Sequence, residues 1–540
     1  MIVLGVNGGV RLGYQDASAA LVIDGEVVAA AEEERFNRIK HSPGQWPQRS
    51  IAWVLASRGL TLRDVDVVAS HGSTWGDGYG AALRGYLRDT FGATPALERV
   101  HHHEAHAASA FYGSGFQDAI VLTIDSSGDG VSTTWGVGRG GELRTLRRFS
   151  RPHSLGLFYS LITQHCGFVR DRDEFKVMGL SSYGDRDAHD LSWLLTCDDG
   201  ELRLDASHLP DLPPGAPQPS RQEMLFGDSV VARLGPPRRP GTPITQATRD
   251  VAASAQRALE DAVVAMVERL HRETGLRRVC LAGGVALNCV ANQRVMELPW
   301  VDDLFVQPAA GDSGIPLGAA WLVSAQRGAA PRPMTTALLG PDADEDAIAE
   351  TLDVTGVASV EVDDPAEEAA RRVADGQVVG WYQGQAEFGP RALGARSILA
   401  SATDPGMTDR INATIKFREP FRPFCPSVAL DAVHDHFDGR GAESPYMTVT
   451  WGVKDPAALP AVTAVDGTAR LQTVDAARNA PFARYLDALE RRTGVPVTLN
   501  TSFNVDGQPI VNTPRQAIAT FFGSGLDALV LGHRVLEKRR

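Results

Sequence analysis

The sequence predicts an α/β protein of two domains, the first internally duplicated, and three observations predict it. A strand, polar turn, strand, tight turn pattern occurs twice, about a hundred residues apart. A short apolar run, Val279-Cys280-Leu281-Ala282, leads into Gly283-Gly284 and a predicted helix from Val285. The chain then changes character over 327–345 and begins a second α/β unit, as expected of 540 residues, too many for one core.

In chain order, residues 2–7 predict a buried strand. Residues 17–23 and 26–31 form a hairpin across Asp24-Gly25. The second copy has strands at 119–125 and 131–137, with turns at 126–130 and 138–141. That is the plan of the actin/Hsp70/sugar-kinase ATPases, where two such hairpins face the nucleotide phosphates. Between the copies, His101 to Ala110 is Ala-rich in its second half and enters a helix. His102 and His106, at i and i+4, then share a face and can hold one divalent metal, whereas His101 and His103 point elsewhere. Residues 200–244 are rich in Pro and Gly (Leu212-Pro213-Pro214-Gly215) and form an irregular excursion. From Thr245 to Thr274 a helix carries a core stripe of Val251, Ala255, Leu259, Val263, Met266 and Leu270. The strand-Gly-Gly-helix passage that follows lets backbone approach a nucleotide.

Past 345 come a helix near 365–375, the strand Val378 to Tyr382 and the densest motif, Glu387 to Ser397. It continues through Lys416 to Phe424. Six basic residues over 391–422 (Arg391, Arg396, Arg410, Lys416, Arg418, Arg422) face three acidic ones, a local +3 in an acidic chain. Guanidinium forks punctuated by Gly and Pro suit a small phosphorylated or carboxylated ligand. Asn500 to Asn504 add hydrogen-bonding side chains after the strand Val495 to Leu499.

Composition narrows the partners. A net charge of -13 argues against nucleic acid, which needs a basic footprint. Five scattered cysteines without Cys-x-x-Cys read as buried thiols of a reducing cytoplasm. No basic n-region and no membrane-spanning apolar run is present, so the expectation is a cytoplasmic protein without a signal peptide.

Taken together, the motifs resemble the NodU/CmcH (TobZ-like) family of ATP-dependent O-carbamoyltransferases, over nearly the whole chain. The resemblance runs through Asp16 to Ala20, Glu32-Glu33-Glu34-Arg35-Phe36, Lys40-His41, the His102/His106 stretch and Lys176 to Leu180. It continues through Ala282 to Asn288, Gly389 to Ser397, Arg422-Pro423-Phe424 and Leu499 to Asn504. It implies an N-terminal actin/Hsp70-like domain over 1–335, as in the tRNA threonylcarbamoyl transferases, and a YrdC-like domain over 345–540. The second would make carbamoyl adenylate from carbamoyl phosphate and ATP, with Mg2+ accompanying ATP. The first would pass the carbamoyl group to a hydroxyl of a small molecule, of the kind found in antibiotic and other secondary metabolism.

By the same resemblance the metal ligands would be His102, His106, Asp125 and Asp312, with iron(II) or a similar ion. Gly283, Gly284 and Asn288 would line the adenylate, with Lys176 a further binding residue. Arg391, Lys416, Arg422, Arg470 and Ser502 would line the carbamoyl phosphate and ATP site, with Arg396 and Asn500 beside them. The family carries His before the Asp-Ala-Ser run; here the residue is Gln15, whose amide is no base. Asp16, His41 or a metal-bound group would then take the acceptor proton. Two other readings compete: a tRNA threonylcarbamoyl-adenosine enzyme, disfavoured by the charge, and a non-catalytic nucleotide-binding protein. The acceptor and the oligomeric state stay open, a homodimer included.

Overall fold

The computed structural model describes residues 1–9, 16–74, 76–210 and 223–538; Gln15 and Leu212-Pro213-Pro214-Gly215 lie outside them. The chain is mixed α/β and forms two compact units. The first contains Met1–Asn7, Val22–Glu26 and Leu62–Pro333, the second Gly8–Leu21, Val27–Thr61 and Met334–Arg540. Segments 8–21 and 27–61 therefore cluster with the C-terminal part, where the sequence reading kept all of 1–335 together. Side chains explain it. The Arg35 guanidinium donates to the Gly389 carbonyl at 2.7 Å, and Arg38 donates to the carbonyls of Pro509 and Ile510.

Two five-stranded sheets share one strand order. Across the first run Glu26–Glu32, Ser18–Ile23, Ile2–Asn7, Val67–Ser70 and Ala96–Arg99. Across the second run Glu142–Ser150, Val131–Arg139, Ala119–Gly128, Arg278–Ala282 and Asp303–Val306. In each, the strand that leads in sequence pairs parallel with the fourth, and the fourth with the fifth. The Asp24-Gly25 turn has φ of 48° and 81°, the left-handed pair that a tight hairpin turn demands.

The helix Gln246–Thr274 begins at Thr245, whose hydroxyl accepts from the Thr248 N–H, and ends at Gly275 with φ 70°. All six stripe residues are buried, Val251, Leu259, Val263, Met266 and Leu270 each contributing about 1.5–3 kcal/mol. The helix expected from Val285 is instead a short 3-10 turn, Gly284–Leu287, followed by the helix Cys289–Met296. Asn288 decides this, because its side chain caps the later start by accepting from the Ala291 N–H. Helix His102–Ser114 approaches helix Ile315–Gln326 closely: a Cβ at Gly318 would collide with the Ala105 carbonyl.

The C-terminal part holds an eight-stranded mixed sheet. Its central strands Val379–Tyr382, Arg396–Ser401, Val497–Ser502 and Cys425–Ala429 are antiparallel to one another. Helices Pro365–Ala374 and Ala476–Thr493 share with it a core of Val373, Trp381, Leu399, Phe482, Tyr485 and Leu489. Among the described residues no helix is long and apolar enough to cross a membrane.

Candidate functional site

The first unit gathers His102, His106, Asp125 and Asp312 into one cluster, with one ligand atom from each lying within 4.8 Å of the others. The helix brings the two Nε2 atoms to 3.1 Å from each other. Asp125 stands where the Ala119–Gly128 ladder shifts register between Ile124 and Gly128, a bulge that re-aims its side chain. Its Oδ2 is 3.4 Å from His102 Nε2 and 3.2 Å from His106 Nε2. Asp312 Oδ1 is 3.6 Å from both. Ligands bound at about 2.1 Å to one ion stand about 3–3.5 Å apart, so this spacing fits a divalent metal. The donor set fits too, because two carboxylates offset a double positive charge, and mixed imidazole and carboxylate ligation suits iron(II) and its neighbours. Burial opposes a charge on His106, but Asp125 and Asp312 overcome it and push its pKa up to about 9. His103 turns away to Thr123 and the Val131 carbonyl.

Glycines make room for this cluster. A Cβ at Gly128 would overlap the His102 ring, and one at Gly283, where φ is 92°, would meet the Ile124 carbonyl. The Gly283 N–H donates to the Ala310 carbonyl at 2.8 Å, tying the Asp125 and Asp312 segments to one turn.

The second unit gathers cations. Lys416 closes a π-helical turn, Asn412–Lys416, ahead of the left-handed Phe417 (φ 45°). Its buried ammonium donates to the Ser502 carbonyl, Ser502 Oγ (3.2 Å), the Asn504 carbonyl (3.1 Å) and Asn504 Oδ1 (2.8 Å). Burial, with Arg418, Arg422 and Lys40 close by, holds its pKa well below that of an ordinary lysine. Burial, then Arg422, pushes Arg418 down to about 9, with Arg470 adding to the effect. Mutually repelling buried cations suit an anionic ligand.

The family description "Carbamoyltransferase N-terminus" matches residues 7–74 and 83–321, and "Carbamoyltransferase C-terminus" matches 370–538. The chain belongs to the carbamoyltransferase family. It is 40% identical to nodulation protein NolNO of Sinorhizobium fredii over 593 residues, covering 100% of this chain and 83% of that protein. It is 40% identical to nodulation protein NolO of Bradyrhizobium diazoefficiens over 455 residues, covering 82% of this chain and 79% of that one. Nodulation protein U of Sinorhizobium fredii is 36% identical over 269 residues, 49% of this chain and 46% of that protein.

Elsewhere in this carbamoyltransferase, His41 Nδ1 lies 2.7 Å from Asp16 Oδ1, and the His41 N–H donates to Glu34 Oε2. Burial disfavours charge on His41, yet Asp16 and Glu34 raise its pKa. Lys176 pairs with Asp173 at 3.3 Å. Arg391 is partly exposed, Arg422 pairs with Glu419 at 3.5 Å, and Arg470 donates to Cys425 Sγ.

Three residues expected to bind ligand make hydrogen bonds within the fold. Arg396, 0% exposed, spends its guanidinium on the carbonyls of Gln383, Gly384, Ala395 and Pro341, stacked 3.7 Å over Tyr382. Asn500 donates to the Ala392 carbonyl, Ser427 and Gln472, and Asn288 exchanges two hydrogen bonds with Gln256. Sequence reasoning also missed residues that the geometry makes prominent. Glu387 accepts from the N–H groups of Leu393, Ala395 and Arg396, and Glu32 accepts from the Gly389 N–H, together shaping the loop that carries Arg391. Both stand in stretches singled out in the sequence, Glu32 to Phe36 and Glu387 to Ser397, and an acidic residue in each was the signal.

Proposed function

We propose that this enzyme is an O-carbamoyltransferase that makes carbamoyl adenylate from carbamoyl phosphate and ATP and carries the carbamoyl group to a hydroxyl of a small molecule. The cluster of buried Lys416 with half-buried Arg418 and Arg422 carries the reading. Carbamoyl phosphate is a compact dianion, and close fixed cations both bind it and stabilise the phosphate that leaves. Water cleaves carbamoyl phosphate there to phosphate and carbamate, and the carbamate oxygen attacks the ATP α-phosphorus and expels pyrophosphate. Enclosure matters because carbamate decomposes in water. Arg391, Arg470 and Ser502 complete the anion-binding set in this reading, and Ser502 with Asn504 aims the Lys416 ammonium.

The shared strand order of the two five-stranded sheets supports an actin-like N-terminal fold, and we read the C-terminal sheet as YrdC-like. Gly283 and Gly284 allow adenylate close to backbone. His102, His106, Asp125 and Asp312 would hold a divalent ion, which would supply Lewis acidity toward the carbamoyl or phosphate oxygen. His41, oriented through Nδ1 by Asp16, takes the proton of the acceptor hydroxyl; AMP leaves as the new C–O bond forms.

The test is pyrophosphate release from ATP with carbamoyl phosphate and no acceptor, on wild type and Arg391→Ala. Carbamoyl-phosphate-dependent release that the substitution abolishes is expected. No release from folded, iron-loaded protein sinks the adenylate mechanism.

A further inference from the structure

Behind His102 runs a hydrogen-bond chain that ends on the backbone of another proposed ligand. Asn7 closes the strand Ile2–Asn7 and is fully buried; His71, just beyond the strand Val67–Ser70, is 1% exposed. Asn7 Nδ2 is 3.0 Å from the Asp312 carbonyl. Asn7 Oδ1 is 2.9 Å from His71 Nε2, and His71 Nδ1 is 3.2 Å from His102 Nδ1.

The direction of each bond follows from its ends. A backbone carbonyl only accepts, so the Asn7 group facing Asp312 is the NH2 and the group facing His71 is the oxygen. An amide oxygen also only accepts, so His71 carries its proton on Nε2. A neutral imidazole has one N–H, which leaves a lone pair on His71 Nδ1 and requires the proton of the next bond on His102 Nδ1. The bare nitrogen of His102 is then Nε2, the atom that faces Asp125 and Asp312.

We propose that His71, oriented by Asn7, is a positioning residue that fixes the tautomer of His102 and makes its Nε2 a ligand-ready lone pair. The inference rests on the metal reading above. Metal-binding imidazoles commonly have the second nitrogen tied to an acceptor in this way. Here the acceptor is another imidazole, and a single amide reads two ligands, His102 through His71 and Asp312 through its carbonyl. The backbone at His102 is also held, its amide N–H donating to Asp129 Oδ2 at 2.9 Å, while Thr74 donates to the other Asp129 oxygen. His106 contrasts with it, because its buried Nδ1 has no hydrogen-bond partner among the described residues.

The experiment is Co2+ titration of chelator-stripped full-length protein, read by visible absorption and metal analysis, with folding checked by circular dichroism. Wild type binds one equivalent. His71→Leu and Asn7→Leu weaken binding by about 10- to 100-fold. His71→Asn, whose Oδ1 replaces the Nδ1 acceptor, stays close to wild type. Equal affinity of His71→Leu and His71→Asn, or of His71→Leu and wild type, overturns the proposal, since a purely space-filling role would not separate an acceptor from an isosteric hydrocarbon. No Co2+ uptake by wild type sinks the metal reading itself, a distinct result. Should His71→Leu not fold, Asn7→Leu against wild type decides the matter.

Discussion

The two candidate centres are charged oppositely and built by opposite means. The first unit converges two carboxylates and two imidazoles from a helix, a strand bulge and a short turn, so its natural partner is a cation. The second unit crowds Lys416, Arg418 and Arg422 along a single stretch of chain, and its natural partner is an anion. Long-range convergence needs glycines and tight packing at fixed points. Local crowding needs only a distorted turn and acceptors such as Ser502 and Asn504 to aim one ammonium. The proposed two-step carbamoyl transfer uses both kinds of site, so damage at each should be separable.

The largest separation is expected from His106→Ala. Removing one ligand should abolish stoichiometric metal binding and slow carbamoyl transfer about 1,000-fold, since several kcal/mol of charge stabilisation is lost. Acceptor-free pyrophosphate release should persist, and parallel metal analysis and release assays check this. Lys416→Ala is the mirror case. Pyrophosphate release should fall about 100- to 1,000-fold with metal content unchanged. Loss of pyrophosphate release in His106→Ala, or of bound metal in Lys416→Ala, would break the division between the centres.

His41→Ala should slow transfer about 100-fold while leaving pyrophosphate release intact, and the pH profile of transfer should lose its acidic limb, where a base is protonated. Equal slowing of the two half-reactions would place His41 in binding rather than proton transfer.

The smallest effect sharpens the contrast within the cationic unit, where Glu32 is a buried acid. Burial, partly countered by Arg35, raises its pKa to about 7. Because the folded value lies above the unfolded one near 4.5, the folded state holds this proton more tightly between them. The stabilisation is complete below pH 4.5 and is lost as pH rises toward 7. Glu32→Gln lacks that titration. The melting temperature of wild type relative to Glu32→Gln should therefore fall from pH 5 to pH 8, by the equivalent of about 1–3 kcal/mol. A constant difference across that range would show an ordinary carboxyl.

Much of this was legible in the chain because it is local. Helical spacing alone placed His102 and His106 on one face, and the Asp24-Gly25 turn and Gly283 were readable because their positive φ angles favour so few residues. Repetition of the strand and turn pattern foretold two sheets of like order. Charge density marked the stretch from Arg391 to Arg422 as one that needs an anion, although it could not sort its members. Arg396 and Arg391 look alike in sequence, and only burial under the Gln383, Gly384 and Pro341 carbonyls makes the first a fold anchor.

What tertiary structure alone decided is which distant groups meet. The sequence by itself determined the residue types, the helical histidine pair and the cationic run. Packing brought Asp312 and Asp125 within ligand distance of the histidines, joined Asn7 through His71 to His102, and clustered segments 8–21 and 27–61 with the C-terminal part. The physical reason is that hydrogen-bond partners are chosen by distance and direction in space, and a buried polar group takes whichever complementary atom the packed core presents to it.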